Sequence, residues 1–137
     1  MSTSKPGARR RTPRGDSDFE TWLKSAFSRH DAFTALIILV RIADLKVTPL
    51  ASTFLNVMGD DVNWPQMAAL LSGSGQAWDG AAFFAVTDTD GPIGNAPARA
   101  RLRALEERIR EDRLALNEGQ LFDLWGRRLK VEEESTH

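Results

Sequence analysis

His30 is the only histidine inside the chain, so any imidazole chemistry rests on it. It falls on the apolar stripe of a helical pattern. Its neighbour Asp31 points elsewhere on a helix, so no partner orients it as a general base. It reads as a histidine at the edge of a core. The carboxylates Asp60, Asp61 and Asp79 could hold magnesium, but adjacent aspartates more commonly cap turns. Asp88-Thr89-Asp90-Gly91 has part of a calcium-loop pattern. With Gly91 as sixth position, Val86 and Pro97 occupy the first and twelfth positions, and neither ligates through a side chain. The segment reads as a turn. Gly73-Ser74-Gly75 lacks the Gly-Lys-Ser order of a phosphate loop. The chain has no cysteine, which excludes disulfides, thiolate metal sites and cysteine nucleophiles, and no tyrosine. No catalytic constellation emerges, and no metal or cofactor is expected.

What remains is binding chemistry. Phe19, Trp22 and Phe27 lie on one helix face, and Trp64, Trp78 and Trp125 are scattered; aromatics of this kind make hot spots for a protein partner or fill a core. The segment 1–15 carries Lys5, Arg9, Arg10, Arg11 and Arg14 and no acid, whereas residues 47–98 carry five aspartates and no base. Phosphate would therefore be met by the arm and repelled by the middle of the chain. Gln120-Leu121-Phe122-Asp123-Leu124-Trp125 resembles the short peptide by which bacterial proteins engage the replication sliding clamp. Its apolar pair comes four and five residues after the glutamine, one later than in that motif. The resemblance implies a clamp partner for residues 120–125.

The elements that position these residues are legible in part. Ser17 and Glu20 form a capping box that opens a helix carrying Phe19, Trp22, Leu23, Ala26, Phe27 and His30. Residues 32–46 form the centre of the core as a buried strand or a buried helix; length and the absence of Gly and Pro favour helix. Thr48-Pro49 reads as the start of a helix over 49–58, closed by Gly59. Asn63 caps another that runs to about Ser72, with Val62 and Met67 placed as a staple. That helix pair has the spacing of a helix-turn-helix but no positive charge to meet DNA, so it reads as core packing. Residues 81–86 read as a strand and 87–95 as a loop. Asn95 caps a long helix with a seam at Leu102, Leu105, Ile109 and Leu116, in which Asp112 falls on an expected apolar position. Gly126-Arg127 suits a two-residue turn, pairing Trp125 with Arg128, Leu124 with Leu129, Asp123 with Lys130 and Phe122 with Val131.

With 42% apolar and 27% charged residues in 137, the composition suits one globular domain. The expected fold is a mainly helical single α+β domain over 17–132, with a small antiparallel sheet that includes a C-terminal β-hairpin. A disordered basic arm (1–16) precedes it and an acidic frayed tail (133–137) follows. No apolar run spans a bilayer, and Arg9-Arg10-Arg11 is not followed by one, so a cytoplasmic location is expected. The arginine excess over lysine suits a GC-rich bacterial genome. The function expected by elimination is a small non-enzymatic regulatory module working through protein–protein contacts. The alternatives are nucleic-acid binding through the arm and, on the resemblance above, clamp binding. A dimer through the first helix or the 102–116 seam is left open.

Overall fold

The computed structural model describes residues 16–44, 46–89 and 91–132. In chain order the elements are α1 (Asp18–His30), β1 (Phe33–Ala43), β2 (Lys46–Val57), α2 (Trp64–Ser72), β3 (Gly80–Val86), α3 (Asn95–Glu111), a 3-10 helix (Arg113–Glu118), β4 (Gln120–Asp123) and β5 (Arg128–Leu129). The strands form one antiparallel sheet in the order β2-β1-β3-β4-β5.

The expectation of a mainly helical domain is overturned: 39% of the described residues are helical and 33% are strand, a mixed α/β domain built on five strands. Two segments carry the correction. Residues 33–43 form β1, the strand with β2 on one side and β3 on the other. The run Phe33–Val40 is buried throughout, and its β-branched residues Ile37, Ile38 and Val40 suit a strand covered on both faces. Residues 46–57 form β2, not the helix that Thr48-Pro49 suggested. Pro49 sits next to a register shift, where Leu50 is the extra residue between the pairs Leu39–Ala51 and Val40–Pro49. A proline tolerated at a bulge on an edge strand needs no helix to accommodate it. The helix pair expected over 49–58 and 64–72 falls with that helix, and only the second member is a helix.

The sheet is sandwiched. On one face, odd-numbered β1 side chains Phe33, Ala35, Ile37 and Leu39 pack with Phe19, Leu23 and Ala26 of α1 and with Trp64, Met67 and Leu71 of α2. On the other, Leu36, Ile38 and Val40 pack with Ala98, Leu102, Leu105 and Ile109 of α3. The α3 seam is thus consumed inside the chain, and Leu116 joins it from the 3-10 helix. Gly94, not Asn95, occupies the cap position of α3. Asp112 ends that helix, and its carboxylate accepts from Leu114 N, which starts the 3-10 turn.

The capping box of α1 is present, with Ser17 N donating to Glu20 Oε1 at 2.6 Å. Glu20 does more than the box requires. Its Oε2 accepts from Trp64 N at 2.6 Å, one of the otherwise orphaned amides that open α2. One carboxylate thereby ties two helix N-termini together. Asn63 and Gln66 form the capping box of α2.

The C-terminal hairpin exists in a different register from the one expected. Leu121 pairs with Leu129 and Phe122 with Arg128. Asp123 N donates to Arg127 O and Gly126 N donates to Asp123 O, so Leu124, Trp125 and Gly126 form a three-residue loop. Gly126 has φ +79°, the left-handed residue that such a loop requires. Asp123 selects this loop, because its side chain accepts from Trp125 N, Arg127 N and Arg127 Nε. The ion pair and the cation–π contact therefore form with Arg127, not with Lys130 and Arg128.

Candidate interaction surface

The aromatics proposed for partner binding separate into three groups. Phe19, Trp64 and Trp78 lie in the core. Phe19 is ringed by Trp22, Trp64, Phe83 and Phe122 with centroids 5.1–6.0 Å away. Trp22 and Phe27 are partly buried against the same cluster. Only Trp125 is open, at 66% exposure, with Arg127 stacked over it at 5.1 Å. Lys5, Arg9, Arg10, Arg11, Arg14 and the tail 133–137 lie outside the described residues.

Residues 120–123 form β4 between β3 and β5, with Leu121, Phe122 and Asp123 buried. Of the clamp-like segment, only Leu124 and Trp125 stand exposed for a partner.

The titratable groups do structural work. Asp79 Oδ2 accepts from Ile42 N at 2.7 Å. His30 ends α1 beside Phe33, with ring centroids 6.0 Å apart. Burial pushes the Asp123 carboxyl up, but the amides of Arg127 and Trp125 and the Arg127 guanidinium outweigh it and hold the group below its ordinary value. Among the described residues no three His, Cys, Asp or Glu side chains converge as metal ligands would. No helix is long and apolar enough to cross a membrane, among those same residues.

Sequence reasoning missed the outer edge of β2, because it read that segment as helix. β2 ends the sheet order. The backbone polarity of the edge follows from β1. Asp79 N donates to Val40 O at 2.8 Å, and Ile42 N donates to Asp79 Oδ2. Val40 and Ile42 thus turn their backbone groups away from β2. Alternation along an antiparallel ladder then points the N–H and C=O of Ala51, Thr53 and Leu55 into the sheet. Those of Ser52, Phe54 and Asn56 point outward, as does the imide nitrogen of Pro49. No charged residue occurs from Val47 to Gly59. An edge of this length whose own residues carry no charge is a template for another strand, blunted by Pro49 and its bulge and by Glu106 of α3, which accepts from Ser52 Oγ.

Hollows flank that edge on both faces of the sheet. On the α3 side a groove of about 450 Å³ reaches Ile38, Pro49, Ser52 and Ile109. On the α2 side one of about 270 Å³ reaches Leu39, Thr53, Leu55 and Leu71. Beyond the end of the strand a wider groove, about 810 Å³, lies between α1 and α2, floored by Leu23, Val57 and Met67 and rimmed by Asp60 and Asp61. Met58 and Leu70 stand there 70% and 61% exposed.

Compared with family models, curated proteins and solved structures, the chain matches none.

Proposed function

We propose that this protein acts as a binding module for another polypeptide, through the outer edge of β2, and not as a catalyst. The observation that carries the reading is the edge strand itself, whose own residues carry no charge: among the described residues Ser52, Phe54 and Asn56 present unpaired backbone donors and acceptors between an apolar hollow on the α2 face and one on the α3 face that Glu106, Arg110 and Arg113 also line. An added strand gains main-chain hydrogen bonds from such an edge and specificity from side-chain pockets on alternate sides. Exposed Met58 beside buried Met67 adds an adaptable apolar lining at one end. The aromatic helix face contributes rigidity, since it is spent on the core that holds the sheet.

The test is site-specific photo-crosslinking in the full chain. A photoreactive side chain at Thr53, exposed on the edge strand, is expected to give discrete polypeptide adducts. The same group at Arg101, exposed on α3, is expected to give none. Equal adducts from both positions, or none from Thr53, would remove β2 as the docking edge.

A further inference from the structure

We infer that the strand received by β2 is β2 of a second copy, paired antiparallel about a two-fold axis at Phe54. This rests on the reading above and names the occupant of the same edge.

Self-pairing has to match outward-facing residues with outward-facing residues, which restricts the registers to few. Centring on Phe54 sets Ser52 opposite the partner's Asn56 and Phe54 opposite the partner's Phe54, so every outward N–H and C=O from 52 to 56 meets its complement. Shifting the centre toward Ser52 runs the pairing into the Leu50 bulge and Pro49, which has no N–H to give. Shifting it toward Asn56 leaves fewer paired residues before β2 ends at Val57.

The side chains agree with that register. The two Phe54 rings meet on the α3 face as a cross-strand aromatic pair. Leu50 comes level with the partner's Met58, which is otherwise 70% exposed. Lys46 opens β2 and the acids Asp60 and Asp61 follow its end, so an antiparallel two-fold brings the basic end of each strand toward the acidic end of the other. This complementarity of charge occurs twice, once at each end. Between those ends β2 itself carries no charge, and Glu106 of α3, which accepts from Ser52 Oγ, comes opposite the partner's neutral Asn56 and not its own copy. A C2 contact requires this kind of self-complementary patch.

The test uses sedimentation velocity on the full chain with two opposite charges placed at the axis. The unaltered chain is expected to sediment as a dimer that dissociates on dilution. Phe54→Lys and Phe54→Glu each place like charges face to face and are expected to sediment as monomers. An equimolar mixture of the two is expected to recover the dimer, which happens only if residue 54 faces its own copy and which also shows that both chains fold. Ser52→Pro removes one outward donor at a strand position that tolerates proline and is expected to weaken the dimer at least tenfold.

A monomer at every concentration, or dimers that survive Phe54→Lys, would overturn the inference. If the chain is monomeric while Thr53 still crosslinks to a different polypeptide, the second copy is wrong and the docking edge stands. If Thr53 crosslinks to nothing, the docking edge falls as well.

Discussion

Replacing Gly126 with alanine probes the joint that holds α1, α2 and the C-terminal hairpin together. Gly126 O accepts from Phe19 N at 3.0 Å, and Arg128 N donates to Asp18 Oδ2 at 2.7 Å, so the loop is clasped to the first turn of α1. A Cβ on Gly126 would lie 2.8 Å from Trp64 Cγ and 3.0 Å from Ser17 Oγ, at φ +79°. Trp64 is poorly placed to yield, because its Nε1 donates to Leu124 O at 2.7 Å and its ring sits 5.1 Å from Phe19 and 6.2 Å from Trp78. The penalty has two parts. The left-handed backbone costs a side chain about 1–2 kcal/mol, partly offset by the stiffer unfolded chain, leaving about 1 kcal/mol. Overpacking against a fixed ring adds about 2 kcal/mol. Gly75 separates the parts, since it has φ +82° and nothing within 4 Å of the Cβ position. In thermal unfolding, where 1 kcal/mol shifts Tm by about 4 °C in a domain of this size, Gly75→Ala should lower Tm by about 4 °C and Gly126→Ala by about 12 °C. Equal shifts in the two variants would refute the rigid contact with Trp64.

Three further outcomes follow from named bonds. Glu20→Ala leaves Ser17 N and Trp64 N without their acceptor and should cost about 2 kcal/mol in denaturant unfolding; Glu20→Gln, with one oxygen in place of two, should fall between it and the unaltered chain. Thr34→Val should cost about 1–3 kcal/mol by the same measurement, because the fully buried Thr34 Oγ1 accepts from Ile93 N at 3.0 Å and donates to Asn56 Oδ1 at 2.8 Å. Asp123 is depressed in the folded state, so its stabilisation is present above the ordinary carboxylate value near 4 and is lost as pH falls through the folded value. Asp123→Asn should therefore be less stable than the unaltered chain at neutral pH, with the gap closing in acid. A gap constant down to about pH 2 would contradict that role.

Local signals with a chemical signature survived translation into structure. Ser17-Glu20 forms the expected capping box and Asn63 caps its helix as expected, with Gln66 completing a second box, because side chains three residues apart satisfy each other's orphan amides whatever the rest of the chain does. The strand at 81–86 was legible from its flanking turn residues. Where a residue type serves two purposes, the reading failed. Thr48-Pro49 suits a helix start and equally an edge-strand bulge, and only the partner strand β1, reaching it through pairs such as Leu36–Phe54, decides between them. The run Ala35–Val40 has no period because both of its faces are buried, so periodicity could not separate strand from helix. The hairpin register turned on three hydrogen bonds to Asp123 that cross-strand pattern matching leaves out. The misread β2 hid the sheet edge proposed for docking, though one sign was in view: a stretch from Val47 to Gly59 with no charge at all.

Hydrogen exchange at the β2 amides, followed as a function of protein concentration, tests the central claim most directly. Ala51, Thr53 and Leu55 should be protected at every concentration by their bonds to β1. The amides of Ser52, Phe54 and Asn56 should gain protection as concentration rises and lose it in Phe54→Lys, because only the second copy closes them. Outward amides that exchange fast at every concentration would contradict the account.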